Sequence, residues 1–243
     1  MTKANKVIKK LKASSSRTRA KNLSRFFKTG PGEYGEGDVF LGVTVPQIRA
    51  IVKDHREIDL GEVRVLLASK FHEVRMAGAL CLVLKTRKAD LKMRKKIFDL
   101  YLKNRNRINN WDLVDLSAPA IVGEYLLAAP REKIVLKKLS QDKNMWSRRM
   151  AILATFALIR IGRFDESLWL AKKYLSDQED LMHKATGWML REVGKRDKKI
   201  LERFLKEYAS TMPRTMLRYA IEKFSPAERK YFMNLKGQTP YHY

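Results

Sequence analysis

Four segments of this chain set a basic residue just ahead of an alanine inside helical text: Val74-Arg75-Met76-Ala77, Arg148-Arg149-Met150-Ala151, His183-Lys184-Ala185 and Leu217-Arg218-Tyr219-Ala220. Their alanines are offset by 74, 34 and 35 residues, and 74 is two steps of 37, so a missing unit centres near residue 114. A period of about 35 residues with two helices per unit belongs to stacked helical repeats of the HEAT or armadillo kind, in which small residues let neighbouring helices approach. From Leu60 onward no alternating strand pattern competes with this reading, and Asp59-Leu60-Gly61, Ala128-Ala129-Pro130, Arg160-Ile161-Gly162-Arg163 and Thr211-Met212-Pro213 punctuate it as turns. The expected fold is all-α, a curved solenoid of HEAT-like helical repeats forming a single domain over residues 1–243. Arg75, Arg149, Lys184 and Arg218, beside the repeating alanines, are expected to line its concave face as a basic ladder.

The N-terminal part reads differently. A basic helical segment spans about 1–28, with helices expected over Ala4–Leu11 and Ala20–Phe27 joined by the turn-prone link Ser14–Arg19. A Gly/Pro-rich loop follows at about 29–39, where five glycines or prolines in the eleven residues from Lys28 to Asp38 preclude a regular element. Thr44 then caps a new helix whose first turn tolerates Pro46. Such a helix start offers backbone amides to an anion.

Charge narrows the partner. Lys and Arg number 51 against 26 Asp and Glu, a net charge of +25. So large an excess costs self-repulsion that a polyanion relieves, which points first to nucleic acid and second to an anionic membrane surface. The single cysteine, Cys81, sits in an apolar run and reads as core. No stretch approaches the roughly 18 apolar residues of a membrane span, and no apolar h-region follows the N-terminal lysines, so the chain is expected in the cytoplasm. The four histidines are scattered and lack zinc-ligand spacing.

The chemistry concentrates in two stretches. In Trp111-Asp112-Leu113-Val114-Asp115 an indole and a carboxylate stand four residues apart, side by side on one helical face. In Lys184-Ala185-Thr186-Gly187-Trp188-Met189-Leu190-Arg191-Glu192 a second indole precedes an arginine by nearly one turn. Trp146 and Trp169 lack a carboxylate three or four residues after them, where Trp111 has Asp115, and read as core. Trp111 alone is more often core than functional, and Asp115 could pair with an arginine of the next repeat.

Taken with Arg148-Arg149-Met150-Ala151-Ile152, these motifs resemble the AlkD family of alkylpurine DNA glycosylases over roughly residues 20–225. The resemblance implies a HEAT-like solenoid that hydrolyses the N-glycosidic bond of N3- or N7-alkylated purines such as 3-methyladenine and 7-methylguanine. It would act on duplex DNA without flipping the base, with neither metal nor cofactor, and as a monomer. Asp115 would stabilise an oxocarbenium-like sugar and orient water, and Trp111 and Trp188 would face sugar and lesion. Arg149 and Arg191 would hold phosphates around the lesion, with Arg49 and the helix start at Thr44 holding the duplex further out. Where the family is expected to carry a tyrosine in its second helix, this chain has Phe26.

Two other classes fit parts of the pattern. A non-catalytic scaffold for duplex DNA or structured RNA explains the basic face but gains nothing from Asp115. A solenoid for an acidic protein partner explains the charge but not the paired tryptophans.

Overall fold

The structure is a computed structural model, and it describes residues 1–129 and 132–235, the side chains of 132 and 133 excepted. Its described residues are helical, with one isolated bridge between Val39 and Phe71. They pack into two compact units, Met1–Ala128 and the residues from Ala129 on, which are described in turn. Among the described residues no helix is long and apolar enough to cross a membrane.

In the first unit α1 (Lys3–Ala13) buries Ala4, Val7 and Leu11, a stripe at helical spacing that rests on α3 (Val45–Asp54) and α4 (Leu60–Leu67). The second helix, α2 (Arg17–Phe26), begins three residues earlier than expected because the Ser16 hydroxyl accepts from the Arg19 amide. Thus the link read as a turn supplies the cap and first turn of α2. At the centre is α5 (His72–Thr86), buried nearly all round, where Gly78 lets Leu66 and Leu67 of α4 come close. The next pair is α6 (Leu91–Lys103) and α7 (Trp111–Ala118). Pro119 offers no N–H to the carbonyl four residues back and its ring crowds that carbonyl, so α7 runs into a π-helical turn, Pro119–Gly123, before α8 (Glu124–Ala128). That turn and α8 pack on α6.

The second unit repeats the helix-pair plan. α9 (Glu132–Ser140) packs on α10 (Met145–Arg160), and α11 (Asp165–Lys173) packs on both α10 and α12 (Asp180–Arg196). α13 (Lys198–Tyr208), α14 (Arg214–Ala220) and α15 (Pro226–Asn234) follow. α12 presses hardest on α14: a Cβ at Gly187 would lie 2.4 Å from the Met216 carbonyl oxygen.

The expected period appears as burial. Ala77, Ala151, Ala185 and Ala220 are all fully packed, and Val114, at the predicted missing unit, is 0% exposed. They fall on α5, α7, α10, α12 and α14, so each unit stacks the second helices of its pairs: α5 on α7, and α10 on α12 on α14. Cys81 is core, as expected, and burial pushes its thiol up to about 12. Trp146 is core too, but Trp169 is not: at 42% exposed it lies on the outward side of α11.

Candidate functional site

In the first unit the site is built from the start of α7. Asn110, fully buried, caps this helix by accepting from the Trp111 amide at 2.8 Å, and its own amide group donates to Asp38 Oδ2 at 2.9 Å. Asn109 Nδ2 donates to the other oxygen of Asp38 at 3.2 Å. Arg75 also donates to Asp38, and turns its Nη1 to the carbonyls of Ser69 and Lys70 at 3.2 and 3.0 Å. The Gly/Pro-rich loop therefore ends in a buried carboxylate that gathers the turn before α7.

His72, at the first position of α5, closes the network. Its Nδ1 faces Asp38 Oδ2 at 3.1 Å and its Nε2 faces Asp112 Oδ2 at 2.8 Å. Both neighbours are acceptors, so both ring nitrogens donate and the ring is an imidazolium. Burial alone would lower its pKa, but the hydrogen bonds and charges of Asp112 and Asp38 outweigh that and raise it from 6.5 to about 9. Burial would likewise raise Asp38, yet His72, Arg75 and Asn110 bring it down from 3.8 to about 2.

An aromatic stack rises from this ionic floor. Phe40 lies on His72 with ring centres 4.6 Å apart, Phe27 on Phe40 at 5.1 Å, and the half-buried Trp111 on Phe27 at 5.2 Å. Phe26, 64% exposed, meets Trp111 edge-on at 6.1 Å. One turn along α7, Asp115 is half-buried. Beside it the Tyr101 hydroxyl is raised by burial first, and also by the Asp115 charge, while its hydrogen bond to Ser117 opposes the shift. On α3, Arg49 and Thr44 are exposed, and the Thr44 amide and hydroxyl both donate to Gln47 Oε1, at 3.0 and 2.8 Å.

In the second unit Trp188 is half-buried on α12, 6.4 Å from Phe156, and its Nε1 donates to Glu192 Oε1 at 3.2 Å. Arg191, one position short of a full turn on, donates to Glu222 of the segment after α14. Arg149 is only 4% exposed and donates to the Leu181 carbonyl.

The family model for the DNA alkylation repair enzyme matches residues 7–224, most of the chain. The chain belongs to the DNA alkylation repair enzyme family. Among solved structures, it is similar to one described as "Predicted DNA alkylation repair enzyme from Enterococcus faecalis", 17% identical, with a TM-score of 0.70 over 88% of this chain and 98% of that one. That likeness shows a shared helical fold. No curated protein matches the chain in sequence.

In this DNA alkylation repair family member, the expected basic ladder is not what the repeat arginines build. Arg75 and Arg149 are buried, Lys184 pairs with Asp180 at 2.8 Å, and Arg218 is the exposed one. Arg75 on α5 and Arg148 on α10 instead do the same job two repeats apart. Arg148 grips Asp177 at 2.8 Å and donates to the carbonyls of Asp142 and Lys143, as Arg75 does with Asp38, Ser69 and Lys70. A guanidinium offers several donors in a fixed fork, so one side chain satisfies a carboxylate and the carbonyls of the link that follows the previous helix.

Asp38, His72 and Asp112 were invisible as a group because they are 34 and 40 residues apart with no ligand-like spacing. The one available signal was an aspartate closing a Gly/Pro-rich loop just ahead of an apolar segment.

Proposed function

We propose that this protein is a monofunctional DNA glycosylase for N3- and N7-alkylated purines in duplex DNA. The observation that carries the reading is the pairing of Trp111 and Asp115 on one face of α7, a helix whose first turn is held by Asp38 and His72. Alkylation at N3 or N7 makes the purine cationic, so it departs as a neutral base with the bonding pair of its glycosidic bond. Water adds to the anomeric carbon and a proton is lost. The demand on the enzyme is to stabilise an oxocarbenium-like sugar.

Asp115 would supply the opposing charge and orient the water. The faces of Trp111 and Trp188 would stabilise the adjacent positive character through their quadrupoles. Arg191, Arg49 and the start of α3 at Thr44 would take phosphates. Arg149, buried on α10, would contribute its charge from beneath the surface. Phe26, exposed against Trp111, would offer the DNA an apolar contact with no hydroxyl. No step in this scheme requires the base to leave the stack.

The test is incubation with methylated duplex DNA and chromatography of the released bases. Free 3-methyladenine and 7-methylguanine are expected. Tight duplex binding with no base released would instead make the protein a phosphate-binding scaffold.

A further inference from the structure

Beside the aromatic stack the first unit contains a cavity of about 560 Å³, within the range of small-ligand sites. Phe26, Phe27, Phe40 and Trp111 supply aromatic surface to it, and Met76 and Ile48 line it as well. Its wall is prebuilt. The Glu73 carboxylate accepts from the amides of Leu41, Gly42 and Val43 at 2.9, 2.7 and 3.2 Å, and Arg19 Nε donates to the Gly42 carbonyl at 2.7 Å. Gly42 has φ +79°, and a Cβ there would lie 2.2 Å from the Ser16 carbonyl oxygen, so this strap runs close against the start of α2.

Glu73, His72 and Asp112 on the lining already have partners. Glu73 holds backbone amides, and His72 and Asp112 hold each other. Such an interior suits a planar π-system, whose polar edge can meet Arg19 and Asn22, both exposed on the lining.

We propose that this cavity binds free purine bases, and that it takes the neutral alkylpurine released beside Trp111. The second clause rests on the glycosylase reading, whereas the first stands on the cavity alone. Trp111 would then serve on both sides of the reaction, since its indole belongs to the proposed catalytic pair and to the cavity wall.

Calorimetric titration of the full-length protein with 7-methylguanine, without DNA, tests it. Saturable binding with Kd below about 1 mM is expected. Leu23→Trp and Val45→Trp, both at lining positions that are not fully buried, should each weaken it at least about tenfold with the melting temperature held. No saturable binding overturns the proposal, as does binding that survives both filling variants, or guanosine monophosphate binding as tightly as the free base. The base-release assay on the unmodified protein is read separately. Base release without free-base binding overturns the cavity alone. Free-base binding without base release overturns the glycosylase reading and keeps the cavity as a purine site.

Discussion

His72 Nε2 lies 2.8 Å from Asp112 Oδ2, so an imidazolium on the first turn of α5 holds the residue that follows Trp111 on α7. The same carboxylate turns its other oxygen to the Leu113 amide at 2.8 Å, inside the first turn where a negative charge also meets the positive end of the helix. The bond therefore fixes the position of α7 from a helix 40 residues earlier in the chain.

Stability should show a plateau set by this network. His72 is raised from 6.5 to about 9, so its contribution is whole below about pH 6.5 and is lost as pH rises through 9. Asp38 is lowered from 3.8 to about 2, so its contribution is whole above about pH 3.8 and is lost as pH falls through 2. Urea midpoints measured across pH should fall on both sides of that window. In His72→Gln the alkaline fall attributed to His72 should vanish, and an unchanged alkaline limb would remove His72 from the account.

Asp115→Asn keeps the size of the side chain and removes its charge. We expect normal folding, duplex affinity that is equal or slightly tighter, and base release slowed roughly 100- to 1,000-fold, about 3 kcal/mol of transition-state stabilisation. Single-turnover release of 7-methylguanine measures it, and a parental rate would take Asp115 out of the mechanism.

Trp188→Phe keeps an aromatic ring near Phe156 but removes the donor to Glu192. It should lower base release more than duplex affinity, whereas Arg191→Ala should weaken binding to damaged and undamaged duplex alike. A Trp188→Phe variant whose only defect is a large drop in melting temperature would mark the indole as core. Arg149→Ala is the less informative change, because emptying a buried guanidinium site costs stability as well.

Gly187→Ala should destabilise the second unit by roughly 1–3 kcal/mol. The added methyl would meet the Met216 carbonyl oxygen at 2.4 Å and Tyr219 Cβ at 2.6 Å, so α12 and α14 would have to separate. Chemical unfolding reads the change, and a neutral effect would mean that α14 yields without cost.

Duplex binding should show little sequence preference and fall steeply between about 50 and 200 mM salt, because phosphate contacts release counterions. Salt-insensitive affinity would contradict an interface built on the +25 net charge.

The chain's own text determined the helix-pair plan. Ala77, Val114, Ala151, Ala185 and Ala220 could be placed by period because close packing of second helices demands a small or apolar residue at each contact, and that demand is local and repeated. The Thr44 cap, the irregular loop before it and the Trp111 to Asp115 spacing were legible for the same reason: each depends on residues within a turn of one another. What the bases did was decided only by tertiary structure. A lysine or arginine reads alike whether it faces solvent or folds back on a carbonyl, and Arg75 became a buried staple because Asp38 and the Ser69 and Lys70 carbonyls lie within its reach. The Asp38, His72 and Asp112 network was likewise decided by packing, since it joins a loop and two helices that are remote in sequence. Burial there strengthens each charge pairing and removes the water that would otherwise compete for it.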